Sequence, residues 1–190
     1  VQELAPGIVI FENIFSESYD KIKLIEELSE SLWQPAKVLD SNSTSGETLV
    51  DYKTRNVDTI RLVEDLSPDL SSFKNDFLDA IKDPVREYLD YYGVSVTSSE
   101  PPRLLRYGID QHVINHIDDT PHAMDSVRRV SIVYYANDDY SGGEIEFSRF
   151  GLKLAPRKSS LLIFPSTYVY NHMVHKVTDG FRYSVVRWLS

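Results

Sequence analysis

The chain has 190 residues, 42% of them hydrophobic and 26% charged, the balance of a globular protein long enough to bury its own core. Its net charge of −9 excludes the broad basic footprint of a duplex-binding protein. The absence of cysteine excludes disulfides, thiolate metal sites and cysteine nucleophiles. No apolar run reaches the roughly 20 residues of a membrane-spanning helix, and no basic-then-apolar leader opens the chain. A cytoplasmic setting without membrane contact is therefore expected.

Gly7–Phe15 is rich in β-branched and aromatic residues and reads as a strand. Ser16 is a candidate cap for a helix whose apolar stripe is Tyr19, Ile22, Ile25, Leu28 and Leu32, closed by the approach to Pro35. Asp40–Thr48 is a polar loop, read as a surface connector, with a lid as the alternative. A second amphipathic helix is marked by Leu70, Phe73, Phe77, Ile81, Val85, Tyr88 and Tyr92. Pro84 is expected to kink or divide it and Gly93 to stop it. The tyrosines Tyr88, Tyr91 and Tyr92 are expected to pack in the core.

After residue 93 helical periodicity gives way to short strand-like runs: Val94–Thr97, Arg103–Ile109, Val113–His116, Val127–Ala136, Glu144–Phe147, Leu152–Leu154, Ser160–Phe164, Tyr168–Val174 and Phe181–Leu189. Turn residues separate them, among them Gly142-Gly143 and Asp179-Gly180. Many short strands at regular spacing indicate a sandwich or barrel. The expected fold is mainly β with supporting helices. Residues 1–190 are read as one domain, with a strand and helices in 1–93 and the β core in 94–190.

One pattern carries chemistry. His116 and Asp118 are two apart, so on a strand they share a face. A histidine from a distant strand would complete two imidazoles and one carboxylate, the donor set that suits non-haem Fe(II) and leaves coordination positions open. His172 and His175 both compete for that place. They are three apart and would point to opposite faces of a strand, so only one fits. His112 and His116 also have the spacing of a helical metal pair, but strand-like surroundings and the missing glutamate argue against a zinc protease. His122 lies in a polar loop and reads as solvent exposed.

Several ordered segments carry a resemblance. Arg106-Tyr107, His116-Ile117-Asp118, Arg128–Asn137, Ser141-Gly142-Gly143-Glu144 with Phe147, Leu161–Phe164, and the run from His172 through Val177, Gly180 and Arg182 to Tyr183 resemble the Fe(II)- and 2-oxoglutarate-dependent dioxygenases. The similarity is to their prolyl 4-hydroxylase-like branch and spans about Leu104 to Trp188. It implies a double-stranded β-helix, a jelly-roll core, flanked here by the N-terminal helices. It implies Fe(II) on His116, Asp118 and His172, with His175 left at the rim. Arg182 would hold the distal carboxylate of 2-oxoglutarate, Tyr135 and Tyr107 would sit near that cosubstrate, and Trp188 would wall the pocket. The cosubstrates implied are 2-oxoglutarate and O2, with ascorbate as a candidate reductant.

The activity implied is hydroxylation of an unactivated C–H bond, with release of succinate and CO2. The leading substrate is a prolyl or other side chain of a peptide or protein, and a free amino acid or other small molecule is the alternative. A non-catalytic β-sandwich module is the rival from another class. Nucleic acid is not an expected partner: Arg187 is offset from the second arginine of the demethylase branch, and the chain is acidic. Two departures are visible. Asp110 and Val113 stand where the family often has a glycine and a second tyrosine, so a different turn is expected there. Ser159 stands where a glycine is frequent.

Overall fold

Alternation of period two runs through the central strands and decides which residues meet. In a computed structural model of the chain, residues 1–15, 21, 24–28, 30–39, 48–63, 66–119 and 127–190 are described. The chain opens with a hairpin of β1 (Gln2–Ala5) and β2 (Ile8–Phe11). The short strands β3 (Gln34–Pro35), β4 (Val38–Leu39), β5 (Thr48–Leu49) and β6 (Arg55–Asn56) follow, then β7 (Asp58–Arg61) and a long helix α1 (Pro68–Tyr92). The second half is β8 (Arg103–Tyr107), β9 (His112–His116), β10 (Val130–Tyr135), β11 (Ser141–Gly142), β12 (Ile145–Phe147), β13 (Leu152–Leu154), β14 (Ser160–Pro165), β15 (His172–Val174), β16 (Val177–Asp179) and β17 (Arg182–Leu189).

Two antiparallel sheets organise these strands. The larger has the order β1-β2-β14-β10-β17-β8-β7-β3, and the smaller β13-β12-β15-β9-β6. The larger sheet is covered on both faces. Ile132, Tyr134, Leu161, Ile163 and Val185 point outward to α1, whose Leu70, Phe73, Phe77, Ile81 and Tyr88 form the facing stripe. Tyr135, Leu162, Phe164 and Val186 point inward to Val113, Ile145, Phe147 and Val174 of the smaller sheet. This is the jelly-roll arrangement expected, with helical cover on one outer face. Burying a side chain such as Phe77 contributes roughly 2–3 kcal/mol, so the two layers of contact dominate the stability of the core.

Helix α1 starts at a Ser67 cap, whose Oγ accepts from the Leu70 amide, and ends on Gly93 in the left-handed region at φ 64°. It runs undivided through Pro84, contrary to the expected division. Proline removes one backbone donor, but the buried stripe on either side of it keeps the helix docked. Tyr88 is buried, and its hydroxyl donates to the Gly7 carbonyl. Tyr92 donates to Glu3. Tyr91 is exposed, so the core expectation fails for that one residue of the three.

Other differences are local. Lys21 and Leu24–Glu26 are helical, but the turn Glu30–Leu32 is a separate 3-10 turn and Leu32 is exposed. Trp33 takes the buried place instead, tilted against the Tyr183 ring and under the Arg106 guanidinium, which is itself paired to Glu30. Ser16, Tyr19, Ile22, the loop 40–47 and His122 lie outside the described residues. Val94–Thr97 is not a strand: Thr97 and Ser98 share one acceptor, the Ser190 carbonyl, in place of a ladder. Tyr168–Tyr170 is a 3-10 turn before β15 rather than part of it. The turn at Asp110 keeps a left-handed backbone (φ 65°) without glycine, and so does Ser159 (φ 62°). Aspartate tolerates that region better than most residues, and Ser159 is tied down by its hydroxyl donating to the Phe15 carbonyl.

Candidate metal centre

His116 and His172 are cross-strand partners in the β9–β15 pair. The register is not regular: Val174 pairs with Val113, so three residues of one strand span the same length as four of the other. The extra residue in β9 is a bulge. Without it Val113 and His116, three apart, would face opposite sides; with it both face the cavity between the sheets. Asp118 follows just after β9, at a bend rather than on the strand, so the shared-face argument is only approximate and the bend finishes the placement.

The three donors converge. One donor atom from each of His116, Asp118 and His172 lies within 4.8 Å of the others. His116 Nε2 is 3.6 Å from Asp118 Oδ1, and His172 Nε2 is 3.8 Å from Asp118 Oδ2. Ligands about 2.1 Å from one ion at right angles stand about 3 Å apart, so a small contraction suffices. Each imidazole Nδ1–H donates to a carbonyl two residues back, Ile114 at 2.9 Å and Tyr170 at 3.0 Å. A carbonyl only accepts, so the proton is fixed on Nδ1 and the Nε2 lone pair faces Asp118.

Asp118 is 8% exposed and His172 5%. Burial opposes the charge on Asp118, but His172, His116 and the Ser131 hydroxyl outweigh it and hold the carboxyl below its usual range. Burial pushes His172 down to about 4, with His116 adding to the shift. A carboxylate beside neutral imidazoles is the protonation state a metal ion takes.

Residues that sequence reasoning passed over support the carboxylate. Ser131 Oγ donates to Asp118 Oδ2 at 2.7 Å and stands 2.8 Å from Ser166 Oγ, a buried file of hydroxyls. Arg128 holds the Asp118 carbonyl at 3.2 Å, pairs with both Glu100 oxygens, and lies 3.9 Å over the Trp188 ring. The only sequence signal for them was the position of Arg128 and Ser131 in the Arg128–Asn137 segment that leads into β10. His175 is not in the cluster. It pairs with Glu146 at 2.7 Å.

The other residues singled out gather beside the cluster. Arg182, Ser184, Val186 and Trp188 alternate along β17 and all line the cavity that holds His116, Asp118 and His172. Arg182 is 1% exposed, and its Nε and Nη1 have no hydrogen-bond partner. Its guanidinium lies 4.7 Å from the Tyr107 ring and 4.9 Å from the Tyr135 ring. Tyr107 is its cross-strand partner and lines the cavity too. The Tyr135 hydroxyl is buried without a partner, and burial pushes its pKa up, so it stays protonated as a donor. Two buried arginine donors left open beside a metal-type cluster fit a carboxylate ligand.

Two glycines make room for this arrangement. At Gly142 (φ 72°) a Cβ would stand 2.3 Å from the Lys176 carbonyl, and at Gly143 (φ 66°) it would stand 3.1 Å from Arg182 Cδ. Both positions need the left-handed region as well.

Comparisons with known proteins bear on the sequence family and the fold. A sequence-family model described as the 2OG-Fe(II) oxygenase superfamily matches residues 102–190. No curated protein sequence matches the chain. Among solved structures, the fold is similar to a prolyl hydroxylase from Trichoplax adhaerens in complex with a hypoxia inducible factor oxygen degradation domain peptide fragment. That match has 18% identity and a TM-score of 0.76, and covers 96% of this chain and 83% of that one. It is also similar to the viral collagen prolyl hydroxylase of Paramecium Bursaria Chlorella virus-1 in its 2OG complex, with 17% identity, a TM-score of 0.67, and 96% and 95% of the two chains covered. A Pseudomonas putida prolyl-4-hydroxylase matches with 15% identity and a TM-score of 0.69 over 96% and 91%.

Proposed function

We propose that the chain, whose residues 102–190 match the model of the 2OG-Fe(II) oxygenase superfamily, is an oxygenase of that superfamily that hydroxylates an unactivated C–H bond of a peptide or protein side chain, with proline the preferred target. It is an oxidoreductase that uses Fe(II), 2-oxoglutarate and O2. Held by His116, Asp118 and His172, Fe(II) would supply the oxidising chemistry that links decarboxylation of 2-oxoglutarate to succinate and CO2 with transfer of one O2 oxygen to the substrate carbon, the other entering succinate. The carrying observation is that one cavity joins the His116, Asp118 and His172 donors to the open guanidinium of Arg182.

In this reading His116 and His172 offer Nε2, and Asp118 offers the oxygen that Ser131 leaves free. Arg182 takes the far carboxylate of 2-oxoglutarate, helped by the Tyr135 hydroxyl, while Tyr107 packs on the guanidinium and Trp188 walls the cavity. Its apolar lining, Val113, Val133 and Val174 among it, excludes water from the oxidising centre. Peptide substrates are favoured because the Trichoplax adhaerens neighbour is a prolyl hydroxylase solved with a peptide fragment. The reading takes residues 1–190 as one catalytic domain, supported by the pairing of β2 onto β14.

The test is aerobic incubation with Fe(II), 2-oxoglutarate and a proline-containing peptide library, read by mass spectrometry and succinate release. One added oxygen atom on a proline, with matching succinate, is expected. Oxygen added only to free amino acids would refute the peptide substrate, and no cosubstrate turnover at all would refute the oxygenase reading.

A further inference from the structure

One charged group in the cavity has no task in the scheme above. Arg55 lies on β6, the edge strand of the smaller sheet, directly opposite Val113 on β9. Residues directly opposite on paired strands share a face, and Arg55 does line the same cavity as the three metal-type donors. The Ile114 amide donates to the Thr54 carbonyl at 2.9 Å, which fixes β6 against the bulge that aims His116. Arg55 is half-buried, and its Nε is buried with no hydrogen-bond partner. Among the described residues it has no carboxylate partner. Its neighbours Arg103 and Arg128 share the single carboxylate of Glu100, and Asp118, in the same cavity, is engaged by His116, His172 and Ser131.

The charge balance of the loaded site points the same way. Two neutral imidazoles and one carboxylate leave Fe(II) with a single net positive charge. The dicarboxylate cosubstrate and Arg182 together cancel it. Arg55 then stands outside this balance, a half-buried cation at the cavity wall whose Nε has no partner and whose fork can take an incoming anion. Arginine presents a planar fork that suits a carboxylate.

We infer that Arg55 is a specificity-determining residue that pairs with a carboxylate carried by the substrate, next to the carbon that is hydroxylated. This rests on the oxygenase reading and narrows its substrate class. The carboxylate has two sources: an acidic side chain beside the target residue of a peptide, or the free carboxylate of a single amino acid.

The experiment loads wild type and Arg55→Gln with Fe(II) and 2-oxoglutarate under argon and titrates two matched pairs by calorimetry. One pair is a blocked proline tetrapeptide with aspartate beside the proline and its asparagine counterpart. The other is L-proline and L-prolinamide. A charge-assisted arginine–carboxylate contact predicts about 10- to 100-fold tighter binding of the acid in one pair, and the pair that shows it identifies the source. Arg55→Gln should abolish that preference and leave 2-oxoglutarate affinity unchanged, and Arg55→Lys, which keeps the charge, should retain part of it. Equal binding of acid and amide in both pairs, or no binding of either acid, overturns the inference. So does an Arg55→Gln variant that loses 2-oxoglutarate instead, which would give Arg55 to the cosubstrate. Wild type that fails to bind 2-oxoglutarate overturns the oxygenase reading itself, and this inference with it.

Discussion

Ser131 never touches the proposed metal, yet it sets which Asp118 oxygen is free, because its hydroxyl occupies Oδ2. Removing such a supporting contact typically weakens metal affinity about 10- to 100-fold. Ser131→Ala should therefore lose Fe(II) affinity by that order in a metal titration, with the fold intact by circular dichroism; unchanged affinity would make the hydroxyl file merely structural. His172 makes a separate prediction. Its pKa is pushed down to about 4 from 6.5 by burial, so between those values the unfolded chain binds a proton that the folded chain does not. Stability of the metal-free protein is then full above about pH 6.5 and falls as pH drops, by on the order of 3 kcal/mol at pH 4. Urea unfolding across that range should show the loss, and His172→Asn should flatten it. At this scale the sequence was informative about donors and poor about supports. His116, Asp118, His172 and Arg182 stand in an ordered pattern built on histidine, of which the chain has only 5. Serines and arginines such as Ser166 and Arg128 are common, and nothing in their spacing says which of them face inward.

Elements position these side chains through two irregularities, the bulge in β9 and the paired glycines before β12. Gly143→Ala would press a methyl group against Arg182 Cδ and Val177 at a left-handed residue. It should raise the 2-oxoglutarate dissociation constant at least about 10-fold while metal affinity stays within about twofold, since a strained close contact costs about 1–3 kcal/mol. Equal loss of both ligands would mean the turn supports the whole site rather than Arg182. In the supporting layer, Phe77 sits fully buried on α1, 5.7 Å from Tyr134. Phe77→Ala should lower the unfolding free energy by about 3–5 kcal/mol, measured by denaturant titration. The long helix and most strands were legible because their periodicity is strong. The bulge was not, since one extra residue leaves the hydrophobic pattern of β9 almost unchanged. The first helix was overextended because Leu32 continues the apolar stripe, while Trp33 and the Arg106–Glu30 pair draw the chain elsewhere.

Across the whole molecule, the two sheets and α1 hold the site from opposite sides, with His172 and His116 on the smaller sheet and Arg182, Tyr107 and Tyr135 on the larger. Ligands that bridge the sheets should therefore stabilise the entire fold. At a metal concentration 100 times the dissociation constant the gain is about 2.7 kcal/mol, or roughly 5–10 °C in thermal midpoint for a chain of this size. Thermal melts with and without Fe(II) under argon should show this shift in wild type and lose it in Asp118→Ala. Among the described residues no helix is long and apolar enough to cross a membrane. A sandwich or barrel was readable from the density of short strands and the jelly roll through the family resemblance, but which face of each strand turned inward needed the register. The most direct test of the central claim is anaerobic titration with Fe(II) and 2-oxoglutarate, followed through the weak visible charge-transfer band of the chelated cosubstrate, on wild type and His172→Ala. A band in wild type that is absent from the variant is the predicted result. A well-folded, iron-loaded wild type without the band, or a variant that keeps it, would contradict the account.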